Sequence, residues 1–345
     1  MNIANHYNFS QGLSVISHYG LQKYTEKLDS YSSILNSIYT SDYNKNNKFC
    51  VDSCWESGNI YYANYDEGYV KKIKFDGTVL ATLNLSRPFM VSIIQNSSSM
   101  NSTVSYPPQE EIGCWIADKG TGKIIKTDNN LNIIKEIDYI INPIGLIADV
   151  DGGCYVVSYY ITSSIKGNLL KISSDGEVIG IKNYSDFSPS ITGFIDMSMD
   201  SNGQLYFCAN DKVYALSYSD GNILQNYVLS PITTDDPFSS SSSEVFVGEE
   251  KHLGCIDIDR NSQYQPLYIA GGNSAESFIV KYVGGGLAAE KQYYDMGMPY
   301  VIKAIQGMGS DSLYVLEDSS KWDDYGYGSS SSIDSSSSSS SSSSI

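Results

Sequence analysis

One short apolar and aromatic stretch returns seven times: LSVIS from residue 13, IYYAN from 60, CWIAD from 114, CYVVS from 154, LYFCA from 205, LYIAG from 267 and LYVLE from 313. Successive copies begin 47, 54, 40, 51, 62 and 46 residues apart. A unit of that length cannot bury its own apolar face, so neighbouring units have to stack into a shared core. Helical periodicity is missing between the copies, and Ser, Asn, Gly and Asp punctuate them throughout. The repeat therefore predicts an all-β chain.

The segments between copies repeat as well. YVKKIKFDGTVLATLNL (69–85), LLKISSDGEVIGIK (169–182) and VYALSYSDGNILQNYVL (213–229) each place Asp-Gly between two alternating runs. That dipeptide marks a tight hairpin whose turn needs positive φ. KIIKTDNNLNIIKEI (123–137) uses Asn-Asn instead, and residues 21–38 read as a degraded copy. A further strand ending in Asp precedes several aromatic stretches: GLIADVDGG (145–153), FIDMSMDSNG (194–203) and CIDIDRNS (255–262).

Four strands per unit follow, and the period fits a β-propeller, which leaves few open sheet edges. Seven aromatic stretches predict seven blades, or six if LSVIS or LYVLE lies outside the ring. Strands within 13–40 and 301–318 are expected to complete one blade between the chain ends. The propeller then spans residues 1–318, with an aromatic and glycine junction at 319–328 and a serine tail at 329–345. Residues 96–111 and 230–252 read as insertions in surface loops.

PIGLIADVDGGCYVVS followed by LLKISSDGEV resembles the NHL, YncE and SMP-30 group of β-propellers, over roughly residues 10 to 318. The resemblance implies the architecture and leaves the activity open, because the fold hosts unrelated functions. SMP-30-type hydrolases hold a metal with acidic and Asn side chains from different blades, and no such ligand set can be matched here residue by residue.

The net charge of −17, with Arg87 and Arg260 the only arginines, repels phosphate backbones and anionic membranes. No apolar run approaches the roughly 18 residues of a membrane span. The start, MNIANHYNFSQGLSVISHYG, has no basic segment followed by an apolar one, so a standard secretory signal is not expected. Cys50, Cys54, Cys114, Cys154, Cys208 and Cys255 lack paired zinc spacing and read as buried free thiols, with a Cys50–Cys54 bridge left open.

Only His6, His18 and His252 could serve as histidine bases, and none accompanies a nucleophile motif. Asp149, Asp151, Asp257 and Asp259 form two DxD pairs, read as equivalent, with Asp52, Asp196 and Asp200 related to them. Such oxygens could hold Ca²⁺ at a channel mouth. Alternatively, each Asp accepts hydrogen bonds from its own turn; on that balance neither a catalytic group nor a cofactor is assigned. Tyrosine is in excess, 29 residues, including YYANYDEGY (61–69) and KWDDYGYG (321–328). Some pack between blades, and others supply low-entropy surfaces for sugars.

The tail has no apolar face to offset the entropy of ordering, so it is a linker or stalk. Its 14 hydroxyls are candidate O-glycan sites: Ser329, Ser330, Ser331, Ser332, Ser335, Ser336, Ser337, Ser338, Ser339, Ser340, Ser341, Ser342, Ser343 and Ser344. Ile333 and Ile345, 12 residues apart, share a face in either an extended or a polyproline-like chain. With Trp322, Tyr325 and Tyr327 they are the candidate stalk-packing residues. The expected function is a non-enzymatic propeller head of an extracellular fibre or virion appendage, binding itself, carbohydrate or both. The alternatives are a metal-dependent SMP-30-like hydrolase or propeller lyase, and an intracellular protein-interaction scaffold.

Overall fold

A computed structural model describes residues 3–8, 49–54, 57–95, 111–138, 140, 142–158, 168–229, 252–258, 266–272, 277–283, 290–295, 301–307 and 312–318. LSVIS, the copy at 21–38, most of both insertions, Asp259, the aromatic junction and the serine tail lie outside the described residues. So do Trp322, Tyr325, Tyr327, Ile333, Ile345 and every candidate glycosylation serine. Glu111 and His252, read as the ends of insertions, instead open strands.

The described chain is all-β apart from one 3-10 turn, Tyr184–Asp186. It opens with β1 (Ile3–Asn8). An antiparallel meander follows, made of β2 (Phe49–Cys54), β3 (Asn59–Asn64), β4 (Tyr69–Lys74) and β5 (Val79–Asn84). A second contains β6 (Pro88–Gln95), β7 (Glu111–Asp118), β8 (Lys123–Asp128) and β9 (Ile133–Ile137). The third runs through β10 (Pro143–Ala148), β11 (Cys154–Ser158), β12 (Leu169–Ile172) and β13 (Val178–Lys182). The fourth has β14 (Phe194–Met199), β15 (Leu205–Ala209), β16 (Lys212–Ser219) and β17 (Asn222–Leu229). The fifth has β18 (His252–Ile258), β19 (Leu267–Gly272), β20 (Ser277–Val283) and β21 (Glu290–Asp295).

Finally β22 (Val301–Gly307) pairs with β23 (Ser312–Asp318), and β23 pairs with β1, joining the two ends of the chain in one sheet. First strands of successive meanders touch in the order β2, β6, β10, β14, β18, β22. Meanders stacked through their first strands are the arrangement of a β-propeller. Among the described residues no helix is long and apolar enough to cross a membrane.

The core lies between the sheets, and the period-2 alternation of each second strand divides it. On β7, Cys114 and Ile116 pack toward the first meander, while Trp115 and Ala117 pack toward the third. On β11, Cys154 and Val156 face back, and Tyr155 and Val157 face forward. On β15, Leu205, Phe207 and Ala209 face back, and Tyr206 and Cys208 face forward. A strand covered on both faces reads as an unbroken apolar run, which is why these stretches stand out in the sequence.

The hairpin turns differ from one another. Asp220 and Gly221 both have positive φ, 49° and 83°, as a primed two-residue turn requires. At Asp76-Gly77 only the glycine does, at 87°, and Gly77 N–H donates to the Lys74 carbonyl, giving a wider loop with a bulge. In the Asn-Asn hairpin the corresponding residue is Leu131, at φ 63°. A side chain there is strained, but Leu131 is 4% exposed in the core between the first two meanders, and burial offsets the cost.

Candidate functional site

Strand register aligns one row of side chains across each sheet. Asp52, Tyr61 and Lys72 face one another across β2, β3 and β4; Ser92, Trp115 and Lys126 do so across β6, β7 and β8. Ile147, Tyr155 and Lys171 form the third row, and Ser198, Tyr206 and Ala215 the fourth. Asp257, Tyr268 and Lys281 form the fifth. In the sheet that joins the chain ends, the register aligns Gln306, Tyr314 and His6.

Lysine lies against the aromatic ring in four rows, with Nζ 5.3 Å from Tyr61, 5.3 Å from Trp115, 4.9 Å from Tyr155 and 6.0 Å from Tyr268. Two of these rows also reach the turn of the next sheet. Lys72 is buried and pairs with Glu111 at 2.5 Å and with Asn129, whose Oδ1 also accepts from Tyr61 Oη at 3.0 Å. Lys126 donates to the Ser174 carbonyl at 2.7 Å, and Trp115 Nε1 to the Gly152 carbonyl at 3.2 Å. Burial pulls the Lys126 ammonium below the ordinary lysine value. Lysines on alternating strands look like a solvent face, yet they staple one sheet to the next.

Polar side chains on the first strands do the same. Asp52 Oδ2 accepts from Ile93 N–H at 2.7 Å, and Ser92 Oγ accepts from Ala148 N–H at 2.9 Å. Asp196 Oδ2 accepts from Ile256 N–H at 3.1 Å, and Ser198 Oγ accepts from Ile258 N–H at 3.0 Å while donating to Asp257. Burial, with a smaller contribution from Asp257, pushes the Asp196 carboxyl up to about 7.

The two DxD pairs are not equivalent. Asp257 is level with Ile147, whereas Asp149 matches Asp200: each accepts from the glycine three residues on and donates to the carbonyl four residues on. Asp149 and Asp151 converge on the buried Lys171, with Asp151 at 2.9 Å. Their own turn supplies the remaining donors, Val150 N–H and Gly153 N–H. An ammonium thus occupies the place where a cation would have to sit. Among the described residues no group of three or more His, Cys, Asp or Glu side chains could hold a metal ion.

Cys114, Cys154, Cys208 and Cys255 are buried thiols outside any disulfide, and burial raises each, that of Cys114 to about 12. They pack as small hydrophobes. Cys50 and Cys54 stand four residues apart on β2. At about 3.3 Å per residue their Cα atoms are roughly 13 Å apart, beyond the reach of a disulfide.

One surface gathers groups that the sequence does not bring together. Tyr65 on the β3–β4 turn, Arg87 on the β5–β6 connection, Phe89 at the start of β6, and Lys119 on the β7–β8 turn form a ledge. Lys119 Nζ lies 3.8 Å from the Phe89 ring, and the Arg87 guanidinium lies 5.7 Å from the Tyr65 ring. The two rings meet edge to face at 6.4 Å. Asp118, 1% exposed, ties two of these segments together: its oxygens accept from Arg87 N–H at 2.7 Å, Gly120 N–H at 3.1 Å and Thr121 Oγ at 2.8 Å. Gly68, at φ 72°, lets the β3–β4 turn close on Leu85, since a Cβ there would lie 2.6 Å from the Leu85 carbonyl oxygen. Arg87 is exposed and its three companions are half-buried. Two signals pointed here: the tyrosine-rich YYANYDEGY and the rarity of arginine.

No protein-family model and no curated protein matches the chain. It is similar to several solved structures. A catalytically inactive virginiamycin B lyase from Staphylococcus aureus is 11% identical, covering 92% of this chain and 100% of that one at a TM-score of 0.45. A luciferin-regenerating enzyme is 12% identical, covering 82% and 87% at 0.48. A gluconolactonase from Xanthomonas campestris is 11% identical, covering 78% and 84% at 0.44. These likenesses concern the fold and assign no reaction to this chain. With enzymes among its structural neighbours, the expectation drawn from the sequence that the chain is not an enzyme no longer stands.

Proposed function

We propose that the chain is a six-bladed propeller head that binds acidic carbohydrate and is carried on its serine-rich extension, outside the cell in a fibre or a virion appendage. Five blades are the five meanders; the sixth is β22, β23 and β1, closed between the chain ends. The observation that carries the binding reading is the ledge of Tyr65, Phe89, Arg87 and Lys119. Two cations stand beside aromatic rings on the surface of a chain whose net charge is −17. A guanidinium grips a carboxylate or sulfate with two parallel hydrogen bonds, and an aromatic ring offers an apolar platform to a sugar. Buried Asp118 locks the Arg87 segment to the β7–β8 turn, and Leu85 N–H donating to the Gly68 carbonyl fastens the β3–β4 turn beside them, so the platform is rigid and the entropy cost of binding is lowered.

Titration with an oligogalacturonate, with a neutral oligosaccharide of equal length as reference, tests this. Arg87→Ala and Phe89→Ala are each expected to lower affinity for the acidic ligand about tenfold, with added salt weakening the native protein more than Arg87→Ala. Affinity unchanged in both variants, or no binding by the native protein, would refute the reading.

A further inference from the structure

The outer strands of the meanders differ in charge and in what covers them. β9 carries Lys135 and Glu136, β13 carries Lys182, and β21 carries Glu290, Lys291 and Asp295. β17 (NILQNYVL) and β5 (VLATLN) carry no charge. Charged residues on an edge strand discourage another strand from pairing with it, and an uncharged edge needs a cover. The molecule covers β17 with another outer strand: β13 runs parallel to it and bridges Ile181 to Asn222. Tyr218 Oη donates across this seam to the Ile179 carbonyl at 3.0 Å, and Gly180 leaves room for its ring.

Among the described residues β5 pairs only with β4. It has no proline or charge along its six residues, and Val79 and Leu80 are 54% and 44% exposed. We propose that the β5 edge is a pairing surface for a second copy of this chain. A two-fold axis lays β5 antiparallel against its own copy, so the same six residues serve both partners. The net charge of −17 drives copies apart, so contact is favoured where each presents a neutral strip. The β13–β17 seam shows that outer strands of this chain do associate when one of the two edges is uncharged. This inference is independent of the carbohydrate reading, because no residue of the ledge lies on β5.

Sedimentation over a concentration series, at low and physiological salt, reads the result. The full chain is expected to dimerise reversibly, more tightly in salt, which screens the repulsion. Leu80→Lys with Thr82→Lys sets like charges against each other across the axis, and is expected to weaken the dimer about fivefold or more. Ile134→Lys on β9 is expected to leave it unchanged, with circular dichroism verifying that both variants fold. Hydrogen exchange of the β5 amides should slow as concentration rises. A monomer at every concentration overturns the proposal, whether its β5 amides exchange fast or are protected by another part of the same chain. A dimer indifferent to the two lysines overturns it as well.

Discussion

Replacing Lys171 by methionine is expected to destabilise the protein by about 3–5 kcal/mol, measured as a lower midpoint in urea. The side chain of Lys171 is 1% exposed and that of its partner Asp149 is 8% exposed, so neither charge can turn to water when the other is removed. Methionine keeps the packing against Tyr155 but leaves the Asp149 carboxylate with little beyond the Val150 N–H. The loss is the desolvation of that stranded charge. It is larger than the net worth of the pair, because bringing both charges out of water already consumed most of their attraction. Adding Asp149→Asn to Lys171→Met should therefore recover a large part of the stability, and Asp151→Asn alone should cost little, since Asp151 is half exposed. If the double variant is as unstable as the single one, the buried pair is not the source of the effect.

The row containing Lys171 also shows where sequence reading succeeds and stops. Six of the seven aromatic stretches became second strands, because a strand buried on both faces leaves an unbroken apolar run. The lysines opposite them were not legible as buried. In a strand they alternate with apolar residues as a solvent face would, and only the register with an aromatic neighbour reveals the packing. The DxD pairs were visible, but their equivalence was misread, because a two-residue offset within a repeat cannot be seen without the turn hydrogen bonds. β1 went unread for the opposite reason: IANHYN has no apolar run, and its place beside β23 depends on the other end of the chain. The ledge needs three turns to converge, so its composition was legible and its geometry was not.

Asp196 makes the junction between β14 and β18 respond to pH. Its carboxyl accepts backbone N–H groups from Met197 and Ile256, beside Asp257, with Cys208 opposite it on β15. Burial raises it from 3.8 to about 7 in the fold, so between those values the folded chain holds a proton that the unfolded chain has released. Stability must then fall as pH rises from about 4 to about 7, by no more than about 4 kcal/mol for a shift of this size. The chain as a whole also gains negative charge over that range, and self-repulsion adds a slope of the same sign. Asp196→Asn separates the two: it removes the titration and leaves the repulsion nearly as it was. In urea titrations at pH 4, 5.5 and 7, the variant is expected to lose less stability than the native protein across the series, by about 1–3 kcal/mol. Parallel curves would mean that Asp196 releases its proton in the fold as readily as it does in the unfolded chain, and that the two N–H donors outweigh burial at this junction.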